Sequence, residues 1–295
     1  MRMMNSSTCQ SGVLACGTLS YRQEPLGRAM EGIARAGFAA VEIGCVCGYC
    51  EHVRPEAMSQ ADMAALGKLA RSFGLSIASI AGHIDLEFPL IGKGPEVAAE
   101  GCRRLRARID LAGELGVPIV NTGLGVAGPG EGLGGLDRHL ADLLDHAAKR
   151  GVKIGLETHA GVTETARASL DLCRRIGSPW LGINHDAGNV RFYAGIDPVA
   201  DLAAVADQIG PHLIHVHIKD HRGAKGAWDF PPLGEGDVDL AALAALYRRI
   251  GFSGPFSLEI EFKGLDSSDP SPDIIDQGVA RSYRFMKTLK LGEPA

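Results

Sequence analysis

The sequence has no apolar run of roughly 18 residues or more, the length that a membrane-spanning helix requires. Its opening stretch, Met1 to Gln10, is polar and lacks the apolar segment of a signal peptide, so a cytoplasmic protein with no membrane partner is expected. Positive charge is not in excess either. Thirty Lys and Arg stand against 35 Asp and Glu, for a net charge of −5. Wrapping a nucleic-acid backbone needs the opposite balance, so no nucleic-acid partner is expected.

Two glycine signatures are missing as well. No Gly-x-Gly-x-x-Gly follows the first strand, which argues against a doubly wound dinucleotide-binding sheet. The Gly-rich segment Gly123 to Gly135 is closed by no Lys-Ser or Lys-Thr, so it reads as a flexible loop on the rim of a site and not as a phosphate loop. Cysteine is present but unpaired in pattern. The seven cysteines are an odd number in a chain too large to need disulfide staples. Cys45, Cys47 and Cys50, with His52 nearby, lack the second ligand couple of a structural zinc site and read as a loop after a strand.

What the chain does have is alternation. Apolar strands are expected at Gly12–Gly17, Ala39–Gly44, Leu75–Gly82, Val117–Thr122, Val152–Thr158, Leu181–Asp186, Leu213–Lys219 and Pro255–Glu261. Helical spacing follows each of them, for example at Pro25–Ala36, Ser59–Phe73, Asp137–Arg150, Thr163–Ile176, Pro198–Ile209, Leu240–Ile250 and Pro272–Leu289. Eight strand–helix units in 295 residues, with no linker-like break, predict an α/β protein. The expected architecture is one (β/α)8 TIM barrel domain over residues 1–295, with residues 1–11 as a polar leader.

Several of these strands carry chemistry on one face. From Leu213 to Asp220, His215, His217 and Lys219 share a face opposite Ile214, Val216 and Ile218. A strand buried on both sides is apolar throughout, so the polar face must look into a cavity, a metal or solvent. Glu157 and His159 oppose Ile154 and Leu156; Gly182, Asn184 and Asp186 oppose Leu181 and Ile183. Ser257, Glu259 and Glu261 oppose Phe256, Leu258 and Ile260, while Ser79, Ala81 and His83 share a face of the third strand.

Active sites of this fold lie at the C-terminal strand ends, where Glu157, Asp186, His217 and Glu259 are expected to converge. Three carboxylates and one imidazole, with no thiolate, suit one divalent ion. Mn²⁺ is favoured, with Mg²⁺, Co²⁺ and Zn²⁺ compatible. The site stays anionic, which favours two adjacent oxygens of a neutral polyol over a phosphate dianion. His83, His159, Asn189, Lys219 and Arg222 are the expected substrate contacts, and Glu261 is the rival of Glu259 as fourth ligand. His185 falls on the outward face, packed against a helix, whereas His215 faces inward, deeper than His217.

The motifs Gly155-Leu156-Glu157-Thr158-His159, Asn184-His185-Asp186-Ala187-Gly188-Asn189, His215-Val216-His217-Ile218-Lys219-Asp220, Pro232-Leu233-Gly234-Glu235-Gly236-Asp237 and Leu258-Glu259-Ile260-Glu261 carry a resemblance. In that order they are similar to the sugar phosphate isomerase/epimerase superfamily with the xylose isomerase-like barrel. The resemblance implies that Glu157, Asp186, His217 and Glu259 bind one divalent ion. It also implies that Glu157 and Glu259 act as acid and base on opposite faces of a keto-sugar or related polyol, through a cis-enediolate next to a metal-bound carbonyl.

Departures from the pattern bear on the substrate. Asn189 stands where ketohexose epimerases have histidine, which looks more like the inosose dehydratase branch. A lyase or dehydratase using the same site, by inosose dehydration or keto-glycoside elimination, is therefore the alternative activity. The extra ligands of an endonuclease IV-like hydrolase are missing, and the intact acid/base pair argues against an inactive sugar-binding barrel. A homo-oligomer is compatible with the resemblance, although no stretch identifies an interface.

Overall fold

Among the described residues, alternating aliphatic residues build nine strands: β1 (Leu14–Gly17), β2 (Ala40–Val46), β3 (Cys50–Glu51), β4 (Ser76–Ala81), β5 (Ile119–Thr122), β6 (Lys153–Glu157), β7 (Leu181–Asp186), β8 (Leu213–Ile218) and β9 (Phe256–Leu258). In the computed structural model, which describes residues 12–128, 132–261 and 272–292, all but β3 run parallel. β1 pairs with both β2 and β9, so the sheet closes on itself as a TIM barrel.

Helices alternate with these strands: α1 (Leu26–Ala36), α2 (Gln60–Ser72), α3 (Pro95–Leu115), α4 (Gly134–Arg150), α5 (Ala166–Ile176), the short α6 (Ala187–Asn189), α7 (Pro198–Ala203) and α8 (Ala206–Ile209), then α9 (Leu240–Ile250) and α10 (Pro272–Thr288). Their limits follow from local chemistry. A capping box opens α2, where Ser59 Oγ accepts from the Asp62 backbone N–H and Asp62 accepts from that of Ser59. Gly37 closes α1 in the left-handed region, at φ 106°. Among the described residues no helix is long and apolar enough to cross a membrane.

The core lies between strands and helices. Val41, Ile43, Ile154, Leu156, Ile183, Val216 and Ile218 point outward from the barrel and are buried with the inward stripes of the helices. Each such side chain contributes about 1.5–3 kcal/mol by leaving water. The polar faces of the same strands are thereby left for the barrel interior.

Four details differ from the sequence reading. The cysteine loop turns at Gly48, φ 72°, and adds β3 as an antiparallel partner of β2. The helix expected over Pro198–Ile209 is broken at Ala204 and Val205 into α7 and α8. Gly134 and Gly135 belong to α4 and not to the rim loop, whose residues 129–131 lie outside the described residues, as does the leader. The last strand stops at Leu258. There the Glu261 N–H turns to the Phe230 carbonyl at 2.9 Å, so the backbone pairs with a loop in place of the barrel.

His185 is on the outward face and buried, with Nδ1 2.7 Å from the hydroxyl of Tyr247 in α9. Burial lowers its pKa from the ordinary 6.5 to about 4, so the folded state holds the ring neutral. A depressed folded pKa stabilises above the unfolded value and is lost as pH falls toward the folded one. His185→Gln is therefore expected to flatten the decline of Tm between pH 6.5 and 4. At pH 7.5 the same variant should cost about 1–3 kcal/mol through the lost Tyr247 contact. Calorimetry across that pH range checks this, and an unchanged slope would overturn it.

Candidate active site

Strand register assembles the site in two layers. Asn184 stands beside Glu157 and His215, and Asp186 stands beside His217. In the lower layer the buried His215 Nδ1 lies 2.8 Å from Asn184 Oδ1, and its Nε2 lies 3.0 Å from both Ser79 Oγ and Ser257 Oγ. Burial, against the nearby Glu42 charge, lowers the His215 pKa to about 4. Its neutral ring thus donates from Nδ1 to Asn184 and accepts from the serines. Gly155 makes room for this arrangement, because a Cβ there would sit 2.3 Å from Asn121 Oδ1.

His217 occupies the centre of the upper layer. Its Nε2 lies 2.8 Å from Glu42 Oε2, while its Nδ1 lies 3.2 Å from Glu157, 3.6 Å from Glu259 and 3.7 Å from Asp186. Burial opposes a charge on this ring, but Glu42, Glu157 and Glu259 outweigh it and hold the pKa well above its ordinary range. Glu42 is the counterpart. Burial pushes its carboxyl up, and the neighbouring His217 and His215 outweigh that to bring it to about 2. Asn121 Nδ2 donates to its other oxygen at 2.8 Å.

Glu157 is also saturated with donors. Asn189 Nδ2 donates to Oε1 at 2.6 Å, and Asn184 Nδ2 and His83 Nε2 reach Oε2 at 3.1 and 2.8 Å. Despite burial, the positive charges of His83 and His217 hold it well below the usual carboxylate range. Glu259 differs. Burial raises its pKa to about 7, with Glu261 and Glu157 adding to the rise and Lys219 and His217 opposing it. The buried Lys219 Nζ donates to Glu259 Oε1 at 2.5 Å and pairs with Glu261, whose other oxygen accepts from Tyr49 Oη at 2.6 Å.

A second chain leads outward from Glu157. His83 Nδ1 is 3.2 Å from Asp85 Oδ1, and Asp85 Oδ2 is 3.1 Å from His159 Nδ1, a close contact without hydrogen-bond alignment. His159 Nε2 in turn meets Tyr193 Oη at 2.9 Å. Gly123 is required where this chain passes, since a Cβ there would lie 2.4 Å from Asp85 Oδ2.

A cavity opens above these groups at the C-terminal mouth. His83, His159, Asn189 and Lys219 line it together with Glu157 and Glu259. Arg222 does not. It is exposed and paired with Asp229 at 2.9 Å, because the loop after β8 turns back on itself there. Cys45, Cys47 and Cys50 are buried free thiols, and among the described residues neither group able to hold a metal includes a cysteine. Cys47 instead lies 3.1 Å from the buried Arg108.

Sequence reasoning missed Glu42, Asp85, Asn121 and Tyr193 as parts of the site. Glu42 did leave a signal, as one carboxylate between the apolar Val41 and Ile43 of β2. Asp85 and Tyr193 lie outside strands, where alternation carries no information.

Glu157, Asp186 and His217 form one of the groups whose ligand atoms all lie within 4.8 Å of one another. The residues fit a divalent ion on one further observation. Asp186 Oδ2 is buried with no hydrogen-bond partner, an expensive state unless a cation meets it. Glu42 accepts from Nε2, so an ion that displaced the Nδ1 proton would meet the Nδ1 lone pair, the arrangement of a carboxylate–histidine–metal triad.

A closed parallel barrel with a carboxylate–imidazole cluster at its C-terminal mouth defines the class of protein. The family model described as xylose isomerase-like TIM barrel matches residues 30–288, and the chain belongs to that family. An L-ribulose-5-phosphate 3-epimerase, UlaE, of Shigella flexneri serotype 5b is 23% identical over 218 residues, 68% of this chain and 70% of that one. D-Allulose 3-epimerase from Methylomonas sp. shares the fold with a TM-score of 0.75 and 21% identity, over 95% of this chain and 98% of that one. The IOLI protein with a bound zinc atom superposes with a TM-score of 0.73 and 16% identity, over 94% and 97%.

If the cluster holds an ion, Mn²⁺ or Zn²⁺ at 100 times its Kd should stabilise the protein by about 2.7 kcal/mol, read as a rise in Tm. His217→Ala should abolish the rise, and Glu42→Gln should weaken binding roughly 10–100-fold. Calorimetric titration at pH 7 should also detect protons released as the ion displaces that of His217. A full Tm rise in His217→Ala would sink the assignment.

Proposed function

We propose that the protein is a divalent-metal-dependent sugar epimerase or isomerase, moving a proton at the carbon next to a carbonyl of a keto-sugar or related polyol. The observation that carries this is the pairing of Glu157 and Glu259 around His217 Nδ1, at 3.2 and 3.6 Å, with their pKa values pushed in opposite directions. Two carboxylates held apart in this way divide acid and base work. Similarity to ketose 3-epimerases supports the same reading.

Glu157, Asp186, His217 and Glu259 would hold the ion, for which Mn²⁺ is favoured; it would polarise the carbonyl and acidify the adjacent C–H. Glu259 takes a proton from one face of the substrate, and Glu157 serves the opposite face. His83 and Asn189 hold Glu157, and with His159 they border the substrate. Lys219 fixes Glu259 and presents a positive charge to the substrate oxygens. Lys219 also favours a second outcome. A buried ammonium in the wall can donate to a departing hydroxyl, which would make the reaction a dehydration or elimination.

Incubation in D₂O with a panel of ketoses and inososes, read by mass spectrometry, tests both. Epimerisation incorporates deuterium with no other mass change, and dehydration loses water. Glu259→Gln is expected to retain metal and lose on the order of 10²–10⁴-fold in exchange rate, the usual worth of a positioned base. Glu261→Gln should keep the exchange. The reverse result would transfer the proton-transfer role to Glu261, and equal rates in both would remove the last strand from the chemistry.

A further inference from the structure

Beside its carboxylates, histidines, Asn189 and Lys219, the cavity is lined by Leu19, Val46, Tyr49, Leu86, Tyr193 and Trp228. Leu86 and Trp228 keep 46% and 37% of their surface exposed, high values for apolar side chains of this size. Isolated exposed apolar residues are ordinary, but these two face each other's cavity with four more of their kind.

Trp228 is not exposed for want of packing. Its ring meets Phe230 at 5.2 Å, Phe192 at 5.6 Å and Tyr49 at 6.3 Å between centroids, all edge to face. The indole is thus a fixed wall. The two hydroxyl groups in this region are already engaged, Tyr49 with Glu261 and Tyr193 with His159. The cations of the lining are engaged as well, Lys219 with Glu259 and Glu261 and His83 with Glu157 and Asp85. Arg22 stacks on Tyr49 at 5.0 Å but does not line the cavity.

Such a wall has little to offer the distal hydroxyls of a free hexose and less for a phosphate dianion, which would face the Glu157, Glu259 and Glu261 carboxylates. It does suit an apolar surface. We infer that the substrate is a sugar derivative bearing an aryl or similarly apolar substituent, with the sugar at the carboxylate base and the substituent against Trp228, Tyr49 and Leu86. The inference rests on the sugar chemistry proposed for the base of the same cavity.

Trp228 itself reports the binding. The chain has two tryptophans, and Trp180 lines a separate groove with Gly210, Gly251 and Phe252, so Trp180→Phe leaves one signal from the cavity. Phenyl β-D-glucopyranoside, D-glucose and D-glucose 6-phosphate are titrated against this variant of the full chain with Mn²⁺ present. Phenyl glucoside is expected to quench Trp228 and to bind about ten-fold or more tighter than glucose, with the phosphate weakest. By calorimetry, Trp228→Ser and Leu86→Gln should each remove most of that gain. Glucose or its phosphate binding as tightly as the phenyl glucoside, or the gain surviving both substitutions, overturns the inference. Deuterium exchange separates the two readings. Exchange into free ketoses without any aryl advantage leaves the proposed activity standing and rejects the apolar subsite; an aryl advantage without exchange into any sugar does the opposite.

Discussion

One proton arranges the mouth of this barrel. Glu42, buried and ionised on β2, faces Nε2 of His217 on β8 from across the interior. Three carboxylates from β6, β7 and the end of β9 surround the other ring nitrogen and favour a second proton on it, whose place a divalent ion would take. Removing Glu42 would leave the ring free to take its other tautomer and the carboxylates without a common partner.

The interior below this point obeys the same logic. Barrels of this fold usually fill their centre with branched aliphatic residues. Here Ser79, Asn121, Asn184, His215 and Ser257 occupy it instead, buried and joined by hydrogen bonds in which donors and acceptors alternate. A polar network in low dielectric is favourable only when its members are satisfied. Asn121 Oδ1 and, at the upper edge, Asp186 Oδ2 lack a hydrogen-bond partner; Asp186 Oδ2 lies 3.7 Å from His217 Nδ1 and 3.9 Å from Lys219 Nζ, where a divalent ion would meet it. Stability therefore resides in the outer apolar layer, and the inner layer holds positions in place.

Much of this was legible in the sequence because strand periodicity is strict. Alternation put Glu157, Asp186, His217 and Glu259 on inward faces at the strand ends; in the structure Glu157, Glu259 and Asp186 lie 3.2, 3.6 and 3.7 Å from His217 Nδ1, and Glu259 stands outside the group of Glu157, Asp186 and His217 whose ligand atoms all lie within 4.8 Å of one another. It also put His185 on the outward face, against Tyr247. The same method gives no hold on loops, and there it fell short. Arg222, three residues past the last predicted inward position, turned to Asp229 and solvent, while Asp85 reached inward from a segment without period. Glu42 had the right period but no companion on its strand, and a single buried carboxylate acquires meaning only from the residue opposite it in space. Tyr193 depends on the π-turn at Val190–Ala194, whose wider winding no pattern of apolar residues announces.

The hairpin of β2 and β3 places Tyr49 on the rim, and Tyr49 reaches the base through an unbroken series of contacts: its hydroxyl on Glu261, Glu261 on Lys219, Lys219 on Glu259. The rim and the base therefore do not vary independently. A change at Tyr49 that admits a different molecule also releases Glu261, shifts the ammonium, and alters the charge on the carboxylate at the base. Lineages that diversify by reshaping this hairpin would alter their chemistry whenever they alter what they admit, so new selectivity here must arise first on the Leu86 and Trp228 side.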